Sequence, residues 1–260
     1  MWPDSASCAV VISFDFDAEE VWIGEDPLNA GRPGTLSQGT YGAKVAVPLI
    51  LEMLQRVGVT ATFFIPGRVA ERYPYRVEEI LAGGHEVAHH GYTHTSPLLL
   101  TPAEEEAELL RGRAVLTALG ADVVGYRSPS WDFSPHTLDL LVKYGFHYSS
   151  NLMDDIKPYR HPEHAVVELP VHWTLDDAAH FWFDAAAWNK TIRTAAEVRA
   201  LWEEEFAGFN ALGGLFMLTM HPQVIGRPGR LAMLEQFIGW MQSHPSVWFA
   251  TAREVAAITP

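Results

Sequence analysis

Cysteine is almost absent from this chain: Cys8 is the only one in 260 residues. A lone thiol cannot form an internal disulfide, so nothing points to an oxidising compartment. Basic residues are also scarce, 18 Lys and Arg against 32 Asp and Glu, which leaves a formal net charge of −14. No Lys/Arg-rich run interrupts that acidity, and such a surface repels a phosphate backbone, which excludes nucleic acid as a partner. Long hydrophobic runs are missing as well. The early apolar stretch from Cys8 to Ile12 is too short to span a bilayer and lacks the basic flank and cleavage site of a secretory leader, so no membrane contact and a cytoplasmic location are expected. Nor does any linker, repeat or low-complexity tract divide the chain, and a single domain over residues 1–260 is expected.

What is present is an ordinary globular composition, 48% hydrophobic and 19% charged, in which short β-branched runs alternate with longer amphipathic stretches. That alternation predicts an α/β fold of parallel strands joined by helices. Strands are expected over Cys8–Phe14, Ala61–Ile65, Glu86–His89, Val123–Tyr126, His147–Ser150, Val166–Leu169, Leu215–Thr219 and Val247–Ala250. Helices are expected over Ala43–Val57, Ala70–Leu81, Pro102–Leu119, Pro135–Tyr144, Ala195–Phe209, Arg230–Ser243 and Ala252–Ala257. Thr101-Pro102 with Glu104 supplies a cap, a first-turn proline and an early acid, and Gly120 closes that helix; Ser134-Pro135 and Gly145 repeat the device. A series of this length fits a barrel. Two segments resist the pattern, Gly24–Gly42, rich in Gly and Pro, and Asp176–Thr194, rich in aromatics; they read as long loops that wall or cover a site.

Four clusters carry chemistry. Asp15 and Asp17 end the first strand two residues apart, so they share a face and repel each other unless a cation or proton sits between them. Residues 85–94 hold four of the twelve histidines, a density that implies metal or proton chemistry. Spacing alone leaves two pairs open, His85 with His89 and His90 with His94, although capping and carbonyl hydrogen bonds suit the first pair better. Tyr126-Arg127-Ser128-Pro129-Ser130-Trp131-Asp132 follows another strand, with an arginine able to orient a carboxylate. Leu218-Thr219-Met220-His221-Pro222 ends a buried strand in a histidine. Each has a plain structural explanation by itself. Their shared location is the stronger argument: Asp15, Asp17, His90, Arg127 and His221 all fall at the C-terminal end of a predicted strand, where one barrel mouth gathers them.

The order of these motifs resembles the polysaccharide deacetylases of NodB-homology type, from about Val11 to His221. The resemblance implies a distorted (β/α) barrel of seven or eight parallel strands. It implies Asp15 as general base, Asp17, His90 and His94 as ligands of a divalent metal, most simply zinc, Arg127 as support for the base, and His221 as general acid. It thereby selects His90 and His94 from the two open pairs. Trp131, Trp173, Asp176 and Asp177 are expected to bind substrate, with Asp176 or Asp177 also helping Arg127 to hold Asp15 ionised. The Asp-x-Asp spacing, Trp131 in place of the usual glycine and the run Val171–Asp177 resemble a subgroup that includes a peptidoglycan-deacetylase-like protein, cyclic imide hydrolases and a metal-independent allantoinase. The expected substrate is therefore an N-acetylated sugar or a small cyclic amide. Relatives in the subgroup imply a homo-oligomer such as a tetramer, with Phe181 to Phe183 at a neighbour's site. Two rivals are a non-haem iron oxygenase, which also uses two histidines and a carboxylate, and a sugar-binding module stacking rings on Trp131, Trp173, Phe181, Trp182 and Phe183.

Overall fold

An unbroken apolar run with no polar alternation has to be covered on both faces, which places it inside a parallel sheet. In the computed structural model, which describes residues 2–183 and 192–260, that run is β1 (Cys8–Asp15), buried at every position. β1 is parallel to β8 (Leu215–Met220) along one edge. Its other edge is shared by β9 (Val247–Phe249), beside Cys8 to Val10, and β2 (Thr62–Ile65), beside Ser13 to Asp15. β3 (Glu86–His89), β4 (Gly125–Tyr126), β5 (Tyr148–Ser149) and β7 (Val167–Glu168) extend the sheet in parallel.

The order is β6-β7-β5-β4-β3-β2-β1-β8, where β6 (Tyr159–Arg160) is antiparallel to β7. An isolated bridge from Asp176 to Thr219 brings the chain beyond β7 against β8. The sheet curls into a half-barrel, mostly parallel and wrapped by helices, as the distorted barrel was expected to be. β6 was not foreseen: two partly exposed residues give no apolar run to read.

Period-two alternation sorts β1 between two cores. Cys8, Val10, Ile12 and Phe14 face outward into a large cluster with helices α3 (Val47–Val57), α9 (Ala195–Leu212) and α11 (Pro228–Gln242). Ala9 and Val11 face inward with Phe64, Ala88, Leu215 and Met217, over α12 (Ala252–Ile258). Continuing two residues at a time, Ser13 and Asp15 lie on that inner face above the apolar floor. Apolar side chains below and polar ones above are what a plugged base and an open mouth require.

Several helix boundaries differ from expectation. Gly24–Gly42 is not one long loop: α1 (Glu20–Glu25), a 3-10 turn over Pro27–Gly31 and α2 (Pro33–Tyr41) occupy it. Pro27 and Pro33 sit at helix starts, where the missing N–H costs nothing. Gly39 packs so tightly on Ala18 that a Cβ would lie 2.4 Å from its carbonyl carbon. The helix expected over Ala70–Leu81 is two, α4 (Gly67–Arg72) and α5 (Pro74–Ala82), since Pro74 starts a new helix. α6 (Pro102–Ala118) has the foreseen capping box of Thr101 and Glu104. The next helix, α7 (Thr137–Lys143), starts two residues beyond Pro135. In the aromatic segment, α8 (Asp177–Phe181) stands where a loop is expected, and residues 184–191 of that segment lie outside the described residues. A short α10 (Pro222–Ile225) follows β8. Among the described residues, no helix is long and apolar enough to cross a membrane.

Candidate active site

Asp15 closes β1, and its Oδ1 accepts a hydrogen bond from Arg127 Nη1 at 2.7 Å. Arg127 follows β4 and is fully buried, so each of its donors needs a partner. Nη1 also reaches Ser13 Oγ at 3.1 Å, Nη2 reaches Ser150 Oγ at 3.0 Å, and Nε reaches the Ser150 carbonyl at 3.3 Å. Phe64 lies under the guanidinium, 3.9 Å from ring centroid to Cζ. Burial pushes the Asp15 carboxyl up, but the Arg127 charge, with that of His221, outweighs it and holds the group below the usual carboxylate range. Oδ2 is left over, 3.9 Å from His90 Nε2. Ser13, Ser150 and Phe64 were not foreseen. Only Ser13 had a readable signal, two residues before Asp15 on the same face.

Asp17 is fully buried, and neither carboxylate oxygen has a hydrogen-bond partner. Its Oδ1 lies 3.4 Å from His90 Nε2 and 3.6 Å from His94 Nε2. His90 Nδ1 is 2.8 Å from the Arg127 carbonyl. A carbonyl only accepts, so Nδ1 carries the proton and Nε2 presents a lone pair toward Asp17. Burial drives Asp17 well above the usual range, and the charges of Asp15, Asp176 and Asp177 add to the rise against the pull of His221. Burial likewise lowers His90 and His94, keeping both rings neutral and able to ligate. An orphaned carboxylate facing two imidazole nitrogens fits a divalent cation, and Asp17, His90 and His94 form a group whose donor atoms lie within 4.8 Å of one another.

His85 and His89 do other work. His85 Nδ1 accepts from the Ala61 amide at 3.1 Å. His89 Nε2 meets the Leu109 carbonyl at 3.0 Å while its Nδ1 accepts from the Gly91 amide at 3.0 Å.

His221 caps α10. Its Nδ1 is 2.7 Å from Asp177 Oδ1, its backbone amide donates to the same carboxylate at 3.1 Å, and its Nε2 points at Asp17 Oδ2, 3.8 Å away. Burial favours the neutral ring, but Asp176, Asp177 and Asp17 reverse that and raise the imidazole well above its ordinary value. This corrects the expectation for the acidic pair. Asp176 and Asp177 do not support Arg127: Asp177 is committed to His221, and Asp176 caps α8 through the Ala178 amide at 2.6 Å while lining the cavity. The cluster of Asp176, Asp177 and His221 is compact enough for an ion, but its best-placed oxygen is spent on the His221 bond.

These groups open into a cavity of about 400 Å³ that includes Asp15, Asp17, His90, His94, Asp176 and His221 in its walls. Trp131 and Trp173 form one side, ring centroids 4.6 Å apart, and Trp182 another. Ser130 and Trp131 both have left-handed backbones, φ 66° and 56°, a strained arrangement costing roughly 1–3 kcal/mol per residue that concentrates at functional sites. Phe181 instead packs in the outer core beneath Arg230, so it is a core residue of its own chain.

Comparison with known proteins gives the family. The family model described as polysaccharide deacetylase matches residues 38–149, a stretch that holds His90, His94 and Arg127. A peptidoglycan deacetylase from Helicobacter pylori is 30% identical over 95% of this chain and 94% of its own. The chain belongs to the polysaccharide deacetylase family. A protein from Mycobacterium smegmatis, provisionally assigned as a polysaccharide deacetylase, has the same fold with a TM-score of 0.94 at 40% identity, covering 99% of this chain and 91% of its own. The allantoinase PuuE shares the fold at a TM-score of 0.86 and 23% identity, over 98% of this chain and 91% of its own.

Proposed function

We propose that this polysaccharide deacetylase family member is a metal-dependent hydrolase of non-peptide carbon–nitrogen bonds, acting as an N-deacetylase on acetylated sugars. The observation that carries the reading is the bare, buried carboxylate of Asp17 facing the Nε2 atoms of His90 and His94. Charge balance argues the same way. With Asp15, Asp17, Asp176 and Asp177 all ionised around two cations, Arg127 and protonated His221, two negative charges would be in excess, which a divalent ion would neutralise; without one, burial and the acidic neighbours drive Asp17 to keep a proton.

Asp17, His90 and His94 would hold that ion, with zinc the simplest choice for two nitrogens and one oxygen. A bound divalent ion supplies Lewis acidity toward an amide carbonyl and brings the pKa of a water down to roughly 7. Asp15 accepts the proton of the attacking water through Oδ2, since Oδ1 is occupied by Arg127. Arg127 keeps Asp15 ionised and aimed. His221 carries a proton on Nε2 toward the cavity and delivers it to the departing nitrogen, while Asp177 fixes the ring and stabilises its charged form. The products are an amine and a carboxylic acid. The aromatic walls stack on a ring of the substrate.

A second reading, ring opening of a small cyclic imide or ureide, uses the same groups. The indoles of Trp131, Trp173 and Trp182 in the cavity wall favour it, because a flat ring stacks on an indole face. A hydrolysis screen separates the two. Acetylated chitooligosaccharides, muropeptides, succinimide, hydantoin and allantoin are offered to the purified protein with and without chelator. Chelator-sensitive release of acetate from the sugars supports deacetylation; cleavage of rings alone supports the second reading; turnover that consumes oxygen contradicts both.

A further inference from the structure

Gly91, Tyr92 and Thr93 separate His90 from His94, and each of their three backbone N–H groups is engaged. Glu108 Oε2 accepts from Tyr92 N at 3.1 Å, from Thr93 N at 2.8 Å and from Thr93 Oγ1 at 3.0 Å. The Gly91 amide is taken by His89, whose other nitrogen meets the carbonyl of Leu109. Glu108 and Leu109 are neighbours on α6, so one turn of that helix holds the amide side of the segment, while α4 donates from the Gly67 and Arg68 amides to the Gly91 and Tyr92 carbonyls at 3.1 and 3.0 Å. The helix has to come close to do so. At Gly112 a Cβ would lie 2.5 Å from His89 Nε2 and 2.8 Å from the Gly91 carbonyl oxygen.

The segment needs external support. Gly91 has φ 75° and His94 φ 56°, and the left-handed region is sparsely populated by residues other than glycine. From the opposite side Gly24 seats directly against the His94 carbonyl, where a Cβ would be 2.5 Å away. A single carboxylate receiving three donors is both strong and directional. Glu108 does not line the catalytic cavity, so any effect it has passes through the turn.

We infer that Glu108 is a positioning residue that presets the convergence of His90 and His94 on a metal ion, an inference resting on the metal reading above. Outer-shell hydrogen-bond partners of this kind contribute about 10–100-fold in metal affinity. The test is zinc affinity by chelator competition on the full chain, with the absorption spectrum of the cobalt-loaded protein as a readout of coordination and the melting temperature of the metal-free protein as a readout of the fold. Glu108→Ala is expected to bind zinc about 10–100-fold more weakly and to alter the cobalt bands. Glu108→Gln, which keeps an acceptor oxygen but loses the charge, is expected to fall between it and the parent. A folded Glu108→Ala protein with parental zinc affinity and cobalt spectrum overturns the inference. Should Glu108→Ala fail to fold, parental values in Glu108→Gln overturn it. A parent protein that binds neither zinc nor cobalt sinks the metal reading itself, and this inference with it.

Discussion

The Nδ1 nitrogen of His90 lies 2.8 Å from the main-chain carbonyl of Arg127, whose guanidinium is 2.7 Å from Asp15. One residue therefore sets the tautomer of an imidazole with its backbone and the charge of a carboxylate with its side chain. The proposed base and the proposed cation site are joined through it.

Arg127→Ala leaves Asp15 buried without its counter-charge. Breaking a buried ion pair by removing one partner costs about 3–5 kcal/mol, so a large drop in melting temperature is expected together with loss of turnover. Arg127→Lys is expected to rescue neither fully, because an ammonium cannot reach Asp15, Ser13 and Ser150 at once. Thermal unfolding and steady-state kinetics of both variants check this.

Asp177→Asn retains the shape of the partner of His221 but removes its charge. Turnover is expected to fall on the order of 10²–10⁴-fold, the range for loss of positioned acid–base catalysis. The sign of the pH effect follows from the raised imidazole: its acid form persists above the ordinary histidine range, so activity is lost on the alkaline side. Weakening the acidic neighbours lowers that limit. The alkaline limb of kcat/KM against pH should move down in the variant, and an unmoved limb argues against His221 as the acid.

Legibility in the sequence tracked burial. β1 was readable because the continuous apolar run from Cys8 to Ile12 has one solution in a parallel sheet, and its C-terminal end located Asp15; His90 was located by the density of histidines around β3 (Glu86–His89), which offers only Val87 and Ala88 as apolar signal. Composition misled over Gly24–Gly42: Pro27 and Pro33 start helices there, and Gly39 answers to packing against Ala18. The roles of Asp176 and Asp177 were not readable, since two adjacent acids give no hint which one turns toward His221. Nor could spacing separate His89 from His90. That distinction depends on α6, distant in sequence, presenting the Leu109 carbonyl to His89 and leaving His90 to face Asp17.

Burial pushes His89 down to about 3. Its folded value is therefore below the unfolded one near 6.5, and the unfolded chain binds the extra proton between them. Stability from this group is complete above about pH 6.5 and declines as pH falls toward 3, by up to about 1.4 kcal/mol per pH unit. His89→Gln keeps a donor for Leu109 but does not titrate. The difference in melting temperature between pH 8 and pH 5 is expected to shrink in the variant.

Asp17 gives the opposite slope in the metal-free protein. Its folded value is raised, so the folded state holds a proton that the unfolded state has released, and metal-free stability declines as pH rises from about 4 toward the raised value. Asp17→Asn removes that liability. Near pH 7.5 the metal-free variant is expected to melt above the metal-free parent. Zinc should stabilise the parent by about 2.7 kcal/mol at a hundredfold excess over Kd and leave the variant unchanged, which calorimetry with and without zinc would show.

The most direct measurement is X-ray absorption at the zinc edge on the zinc-loaded protein, paired with anomalous diffraction to locate the ion. The account predicts one zinc beside Asp17, with two imidazole nitrogens at about 2.0–2.1 Å and a carboxylate oxygen at about 2.0–2.2 Å. Zinc bound elsewhere, or a first shell without both His90 and His94, would contradict it.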